Sequence, residues 1–210
     1  AAQDMGAKPS VIDPSATVEG AAIGQGCEIG PKVILAPGAA VDHGVKIGAC
    51  VRVEAGTMLG KGCNIAAGVT IGKGAKISTG VQIQDNVTVE DSCSISMGCV
   101  IKPGSRVQAG ATLGKGCNIG SSVRIGKGAN ISTGVKLQDN VTVGENTSIG
   151  MGCDIKPGSS IGKNTKISLG CVVGPTAAIG NNVSIPQGCP VPEGKKVADG
   201  TQVPFGGKVM

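Results

Sequence analysis

The sequence predicts an all-β parallel solenoid with a triangular cross-section, 18 residues per coil and about eleven coils. The first observation is a row of Ile, Leu or Val at every sixth position from Ile23 to Val203. The second is a mostly small residue two positions before each member of that row, usually preceded by Gly or Asn. The third is a longer repeat, in which residues 59–112 match residues 113–166 at an offset of 54, which is three times 18.

The six-residue spacing defines the strands and the corners between them. A separation of two places the aliphatic residue and the small residue on one face of a strand, so both are expected to point inward. Gly and Asn tolerate positive φ, and we expect the chain to turn a corner at that position. Cys50 falls on a corner. Seven other cysteines differ by multiples of 18 and are expected to form one internal column: Cys27, Cys63, Cys99, Cys117, Cys153, Cys171 and Cys189.

The two ends of the chain depart from the repeat. The predicted segments are an N-terminal cap segment at 1–10, a single solenoid at 11–203 and a C-terminal tail at 204–210. Ile12 and Val18 begin the solenoid with an irregular coil, because the spacing from Val18 to Ile23 is five residues. We expect Phe205, the only aromatic residue, to plug the C-terminal opening of the core.

The pattern [LIV]-[GAED]-x-x-[STAVC]-x resembles that of the hexapeptide-repeat family, and the likeness covers nearly the whole chain. The opening VIDPSATVEG is similar to the start of bacterial acyltransferases. The Pro-rich VSIPQGCPVPEGKKV resembles the last coil of sugar acetyltransferases and of γ-class carbonic anhydrase relatives. The resemblance implies a left-handed parallel β-helix, an exception to right-handed crossovers, and homotrimers packed face to face.

His43 is the only histidine in the chain. In the acyltransferases that the chain resembles, a histidine is the general base that deprotonates the acceptor, which makes His43 the candidate catalytic residue. However, His43 follows Asp42 at a predicted solvent-facing corner. The γ-class carbonic anhydrases bind their metal with three histidines, so a single histidine argues against that activity. The chain also lacks the loop insertions of these enzymes, and we expect smooth faces with no pocket within one subunit.

Neither a metal nor a cofactor is predicted. The nine cysteines contain no Cys-x-x-Cys pair, and eight of them occupy the small inward position, where cysteine packs as a small hydrophobic residue. Reduced thiols favour a reducing compartment such as the cytoplasm or an organelle stroma, although the start at Ala1 allows a cleaved leader.

The outward residues and the ends of the rod suggest partners. The net charge of +5 and the single aromatic residue argue against nucleic acid, and no apolar run approaches the ~18 residues of a membrane span. Unpaired strand edges at the ends and nearly flat sides predict self-association, as a trimer or end to end. Four basic residues share one predicted face, which is a candidate docking face for an acidic protein or surface: Arg52, Arg106, Arg124 and Lys196.

Because the single histidine and the missing insertions argue against catalysis, we expect a non-catalytic structural or scaffolding β-helix that self-associates or binds partners through its faces or ends. Two alternatives stay open at this point. One is an acyltransferase-type homotrimer that uses His43 at a site between subunits. The other is a solenoid that binds ice or another surface through a flat repetitive face.

Overall fold

The computed structural model describes residues 8–207 and residue 209, and within them the chain forms thirty β-strands of two residues each. The strands belong to three parallel sheets of ten strands, here named sheets A, B and C, which are the walls of a left-handed triangular prism. The described part of the chain contains no helix long and apolar enough to cross a membrane. The predicted all-β solenoid is therefore confirmed.

The strands follow one another around the prism in the order A, B, C. Sheet A contains Val11–Ile12, Glu28–Ile29, Lys46–Ile47, Asn64–Ile65, Gln82–Ile83, Val100–Ile101, Asn118–Ile119, Lys136–Leu137, Asp154–Ile155 and Val172–Val173. Sheet B contains Ile34–Leu35, Arg52–Val53, Thr70–Ile71, Thr88–Val89, Arg106–Val107, Arg124–Ile125, Thr142–Val143, Ser160–Ile161, Ala178–Ile179 and Lys196–Val197. Sheet C contains Ala22–Ile23, Ala40–Val41, Met58–Leu59, Lys76–Ile77, Ser94–Ile95, Thr112–Leu113, Asn130–Ile131, Ser148–Ile149, Lys166–Ile167 and Ser184–Ile185.

Neighbouring strands of one wall are separated by one full coil of the chain, as in the pairing of Val100 with Asn118. The first coil is one residue shorter than the next, because Val11 pairs with Glu28, whereas Glu28 pairs with Lys46. The irregular spacing predicted near the N-terminus is thus an irregular first coil. Isolated bridges add an eleventh rung to sheets B, A and C at Thr17, Val191 and Gln202, respectively.

Each corner after the irregular first one, at Pro14 and Ser15, is a two-residue turn whose second residue has positive φ, as at Gly98 (69°) and Asn86 (56°). The corners are named by the walls they join: the A–B, B–C and C–A edges. Corners of successive coils are hydrogen-bonded to each other, since the N–H of Gly116 donates to the carbonyl of Met97 at 3.0 Å. This stacking makes each edge a continuous column that runs the length of the rod.

The aliphatic row forms the core, as the spacing predicts. All of its members are buried except Ile23 and Val203, which lie near the two ends of the rod and are partly buried. Ile119, in the middle of the rod, is completely buried. A fully buried aliphatic side chain stabilises the fold by roughly 1.5–3 kcal/mol, so this row is enough to hold the rod together without metal or disulfides.

The ends are closed differently from the prediction. Phe205 does not plug the core: it is 86% exposed, whereas Val209 is buried in its place. At the N-terminal end, residues 1–7 of the predicted cap segment lie outside the described residues. Ser10 ties the first coil down, because its hydroxyl donates to the carbonyl of Gly24 at 2.7 Å and accepts from the N–H of Cys27 at 3.0 Å.

Candidate functional site

His43 forms a pair with its neighbour Asp42 at the C–A edge, immediately after the strand Ala40–Val41. The Asp42 Oδ1 atom lies 2.8 Å from His43 Nδ1 and accepts the backbone N–H of His43 at 2.7 Å. These hydrogen bonds, from the backbone first and then from the ring, lower the pKa of Asp42 below its ordinary value. An ionised carboxylate only accepts hydrogen bonds, so it holds the proton of a neutral ring on Nδ1 and leaves Nε2 as the basic atom.

Gly24 lies one coil before the pair and leaves room for it. A Cβ atom at this position would come within 2.9 Å of His43 Nδ1 and 2.8 Å of the His43 backbone nitrogen. The pair is solvent-accessible, with 59% of the His43 side chain and 51% of the Asp42 side chain exposed. The predicted exposed corner is therefore present, but the ring is held in place by its neighbour.

An apolar trough of about 600 Å³ runs along sheet C beside this pair, and Asp42 is part of its lining. The trough exists because the outward residues Ala22 and Ala40 are short, whereas the next two outward residues, Met58 and Lys76, are long. The expectation of smooth faces without a pocket is therefore wrong. A repeating backbone still forms concave surfaces where short and long outward side chains meet.

The C–A edge differs from the other two edges in its turn residues. In each of its described turns the second residue is glycine: Gly26, Gly44, Gly62, Gly80, Gly98, Gly116, Gly134, Gly152, Gly170, Gly188 and Gly206. The described non-glycine residues with positive φ, such as Lys32 and Ser92, all lie on the other two edges. A Cβ added at Gly98 or Gly152 would meet no atom within 4 Å, so contacts within the chain do not require glycine there.

The first turn residues of the C–A edge include three exposed apolar side chains in the same coil register as His43. They are Met97, Met151 and Leu169, with exposed fractions of 53%, 60% and 48%. The sequence analysis missed them as an interaction surface, although their spacing from His43 in whole coils is visible in the sequence. Together with the glycines they make parts of this edge apolar, although the exposed Lys61 and Lys115 occupy the same turn position in other coils.

The four basic residues predicted on one face do lie on sheet B, but they do not form one patch. Arg106 and Arg124 are neighbours in register. Arg52 lies three coils before Arg106 and forms an ion pair with Glu54, and Lys196 lies four coils beyond Arg124. The structure therefore brings together two of the four residues.

The cysteines are free thiols, and all except Cys50 are buried. Members of the predicted column donate their S–H groups to a corner carbonyl of the next coil, as Cys99 Sγ does to Gly114 at 3.0 Å and Cys153 Sγ to Ser168 at 2.9 Å. Thr57 makes the same bond to the carbonyl of Gly72. The small inward position of the repeat therefore suits residues that are small and can also donate a hydrogen bond. The described residues contain no group of three or more metal-ligating side chains.

Residues 50–85 match the profile of the family described as the hexapeptide repeat of succinyl-transferase. The chain is similar to hexapeptide-repeat proteins over these residues, and its six-residue row continues from Ile23 to Val203. Its fold is similar to that of the UDP-N-acetylglucosamine acyltransferase of Francisella novicida, at 18% identity over 82% of this chain and 64% of that one, with a TM-score of 0.52. The UDP-N-acetylglucosamine O-acyltransferase of Moraxella catarrhalis is another match, at 19% identity over 83% of this chain and 66% of that one, with a TM-score of 0.43.

The chain spans less than two thirds of the length of either enzyme. No curated protein matches its sequence. At these identities the likeness is one of fold, a left-handed parallel β-helix of the kind found in acyltransferases.

Proposed function

We propose that this chain is a hexapeptide-repeat acyltransferase that acts as a homotrimer, with His43 as the general base of a site between subunits. The observation that carries the proposal is the 2.8 Å contact between His43 Nδ1 and Asp42 Oδ1 at the rim of the apolar trough. The sequence analysis favoured a non-catalytic scaffold because of the single histidine and the missing loop insertions, and it anticipated neither this contact nor the trough.

In the proposed reaction, Nε2 of His43 takes the proton from a hydroxyl or amine of the acceptor. The acceptor oxygen or nitrogen then attacks the carbonyl carbon of an acyl thioester. The carbon–sulfur bond breaks, and the departing thiolate recovers the proton from the imidazolium. Asp42 positions the ring and stabilises its charged form, which is the role of the carboxylate in histidine-based triads.

The apolar trough supports the choice of substrate class. Its walls are largely aliphatic, from Ala22, Ala40 and Met58, and its volume of about 600 Å³ is in the range of small-ligand sites. An acyl chain laid along sheet C would contact these side chains, with its thioester end directed towards Asp42 and His43. Lys76, at the far end of the trough, provides a cation for a polar or anionic part of a substrate.

The C–A edge supports a site between subunits. A column of glycines lets the backbone of a second copy approach closely, and the exposed side chains of Met97, Met151 and Leu169 provide apolar surface to bury. His43 lies on the same edge, so a copy that packs against this edge also lies beside His43. That second copy would cover the open side of the trough and exclude water from it.

A scaffold is the competing function, and one observation favours it. The described coils continue without an inserted loop from Glu28–Ile29 to Ser184–Ile185, so each wall is an uninterrupted sheet. Such a rod can join others through the unpaired strand edges at its ends. The scaffold and the enzyme predict different assemblies, namely filaments and discrete trimers.

The proposal is tested by transfer assays with acyl-coenzyme A donors of two to fourteen carbons and a panel of sugar hydroxyls and amines. Product is measured by mass spectrometry, because the exposed Cys50 thiol would interfere with reagents that detect the released thiol. We expect His43→Gln to lower kcat at least about 100-fold. Asp42→Asn should lower kcat about 10-fold or more with little change in KM, because it disturbs the orientation of the ring.

Gln25→Ala is the matched control, since Gln25 occupies the same turn position one coil earlier and is exposed. It should leave kcat within about two-fold of the wild-type value. If the wild-type protein transfers no acyl group and forms filaments, the scaffold is the better account. Transfer that survives His43→Gln unchanged would remove His43 from the mechanism.

A further inference from the structure

A polar cleft of about 480 Å³ lies on sheet B at the side of the A–B edge, away from His43 and the trough. It lies where Arg106 and Arg124 are neighbours in register, so their Cα atoms are about 5 Å apart. The side chains that line it include Asn86, Thr88, Arg106, Ser122, Arg124 and Asn140.

The cleft offers hydrogen-bond donors and positive charge. Its side chains provide two guanidinium groups, two amides and three hydroxyls, and none of the described residues that line it is acidic. One of the hydroxyls, that of Ser105, is buried and donates to the carbonyl of Gly120.

Glu90 is a carboxylate that pairs with one of the two arginines and is therefore already occupied. Its Oε1 lies 2.6 Å from Arg106 Nη2, and its Oε2 accepts the N–H of Ala109 at 3.1 Å. Asp85 and Asp139 precede the lining residues Asn86 and Asn140, and each accepts a backbone N–H of the preceding coil.

Arg124 is the unusual member of the pair. Within the part of the chain that the structure describes, it makes no ion pair. The residues equivalent to Arg124 three coils before and after it are Thr70 and Ala178, so the fold does not require a cation at this position. Two adjacent guanidinium groups repel each other, and only one of the two is neutralised by a carboxylate. An anion between them would compensate the second charge.

The chain contains its own control for this arrangement. Arg52 is the repeat equivalent of Arg106, three coils earlier, and it also forms an ion pair with a glutamate. Its neighbour on the next strand is Thr70 in place of a second arginine. Sheet B therefore contains one arginine, Arg52, that has no second cation beside it, and its repeat equivalent, Arg106, that has one.

We propose that the cleft between Arg106 and Arg124 binds a phosphate group. A phosphate presents several acceptor oxygens to guanidinium groups, hydroxyls and amides at once, which suits a site that consists of donors. An acidic polymer would need a longer run of cations. The other outward residues near the cleft on sheet B, such as Thr70, Thr142 and Ser160, are uncharged, and Lys196 is about 19 Å from Arg124. The proposal does not depend on acyl transfer.

The test is titration calorimetry of the full chain at low ionic strength with two probes, inorganic phosphate and glycerol phosphate. We expect saturable binding, and we expect Arg124→Gln to weaken it at least about 10-fold, as the loss of a charged hydrogen-bond donor should. Arg52→Gln should change the affinity less than about two-fold. Glu90→Gln should strengthen binding about three-fold or more, because it removes a competing negative charge but keeps an oxygen for the Ala109 N–H.

The gain in Glu90→Gln separates a binding site from damage to the fold, since damage would only weaken binding. Tighter binding of glycerol phosphate than of inorganic phosphate identifies a phosphate monoester as the ligand, and equal or weaker binding identifies free phosphate. No saturable binding of either probe up to about 50 mM would overturn the proposal. So would equal losses in Arg124→Gln and Arg52→Gln, or a glutamate-rich peptide that binds this face without competition from phosphate.

Discussion

The C–A edge and the A–B edge are built from the same turn and yet differ in both their outer and inner residues. At the C–A edge the second turn residue is always glycine, whereas the A–B edge accepts Lys32, Cys50, Asn86 and Ser122 at this position. Behind the C–A edge the inward position is mostly cysteine, and behind the A–B edge it is mostly valine, as in Val123. The backbone repeat therefore leaves the composition of each edge free.

The difference between the two edges indicates which residues are explained by contacts within the chain and which by contacts with another molecule. On the inner side, contacts within the chain explain the cysteines, because the S–H group donates to a corner carbonyl and valine has no donor for it. On the outer side, positive φ favours glycine at all three edges, but only the C–A edge has glycine in every coil, and a Cβ at most of these positions would meet no atom of the chain. Glycine in every coil of one edge, where the other two edges accept Asn or Ser at a similar φ, is what an interface with a second copy would produce.

One aliphatic core supports both edges, and the substitution Ile119→Asp would disrupt that core. The substitution buries a carboxylate at a completely buried position with no partner, so we expect a loss of at least about 4 kcal/mol in the free energy of unfolding. Asn118→Asp is the control on the exposed face of the same strand and should change stability by less than about 0.5 kcal/mol. Denaturant unfolding measures both. An unchanged midpoint for Ile119→Asp would contradict the inward assignment of the row.

The thiols of the two edges should differ in reactivity. Cys50 is an exposed turn residue of the A–B edge, whereas Cys99 and Cys171, behind the C–A edge, are completely buried. In the native protein, we expect iodoacetamide to label Cys50 at least about 100 times faster than the buried cysteines behind the C–A edge. Peptide mass mapping after short exposure gives the ratio. Comparable labelling of the column would mean that the C–A edge opens readily.

Alkaline pH should weaken the fold through the inward thiols. Burial raises the pKa of the Cys93 thiol to about 11 from an ordinary 9.0, and it also raises the pKa of Cys63. The folded chain keeps these protons to higher pH than the unfolded chain, so stability is complete below pH 9.0 and falls between pH 9.0 and about 11. The melting temperature should drop over this range by about 2–4 °C for each kcal/mol lost.

Cys63→Ser with Cys93→Ser is the control for this effect. Serine keeps a donor for the corner carbonyls but does not ionise in this range, so the drop in melting temperature should shrink in the double variant. A drop of the same size would assign the alkaline loss to other groups.

The smallest expected effect comes from a matched pair of glycine substitutions. Gly98→Asn on the C–A edge and Gly110→Asn on the B–C edge each add a side chain into open space. Asn tolerates positive φ, as Asn86 and Asn146 do, so each should cost less than about 1 kcal/mol of chain stability. Only Gly98→Asn should weaken self-association, measured by sedimentation at a series of concentrations. Equal effects on association would remove the distinction between the edges.

The sequence was sufficient for the repeating parts of the fold. The six-residue row, the three-strand coil and the exposed corner at Cys50 follow from periodicity and from the alternation of side chains along a strand. The ends were not predictable in this way, because no repeat dictates where a tail lies. Phe205 therefore looked like a plug on hydrophobicity alone, although Val209 is the residue that the fold buries.

The candidate site was predictable only in part. The position of His43 on a corner came from its register, but its contact with Asp42 depends on the local turn, which brings a carboxylate and a ring of adjacent residues together. The trough depends on the relative lengths of Ala40 and Met58 on neighbouring coils. The trough thus arises from side chains one full coil apart in the sequence, which a search for local motifs does not compare.

The central claim is that the C–A edge is the interface at which copies of this chain meet beside His43, and solution mass tests it most directly. The test variant is Met97→Asp with Met151→Asp, and its control is Ala55→Asp with Ala109→Asp. The control pair occupies the same turn position on the B–C edge, with the same spacing of three coils and the same change in charge.

By sedimentation equilibrium, the wild-type protein and the Ala55→Asp/Ala109→Asp variant should have the mass of three 20.5 kDa chains, about 62 kDa. The Met97→Asp/Met151→Asp variant should have the mass of one chain and should melt within a few degrees of wild-type protein diluted until its trimers dissociate. A wild-type monomer at high concentration, or the same mass for both variants, would contradict the account.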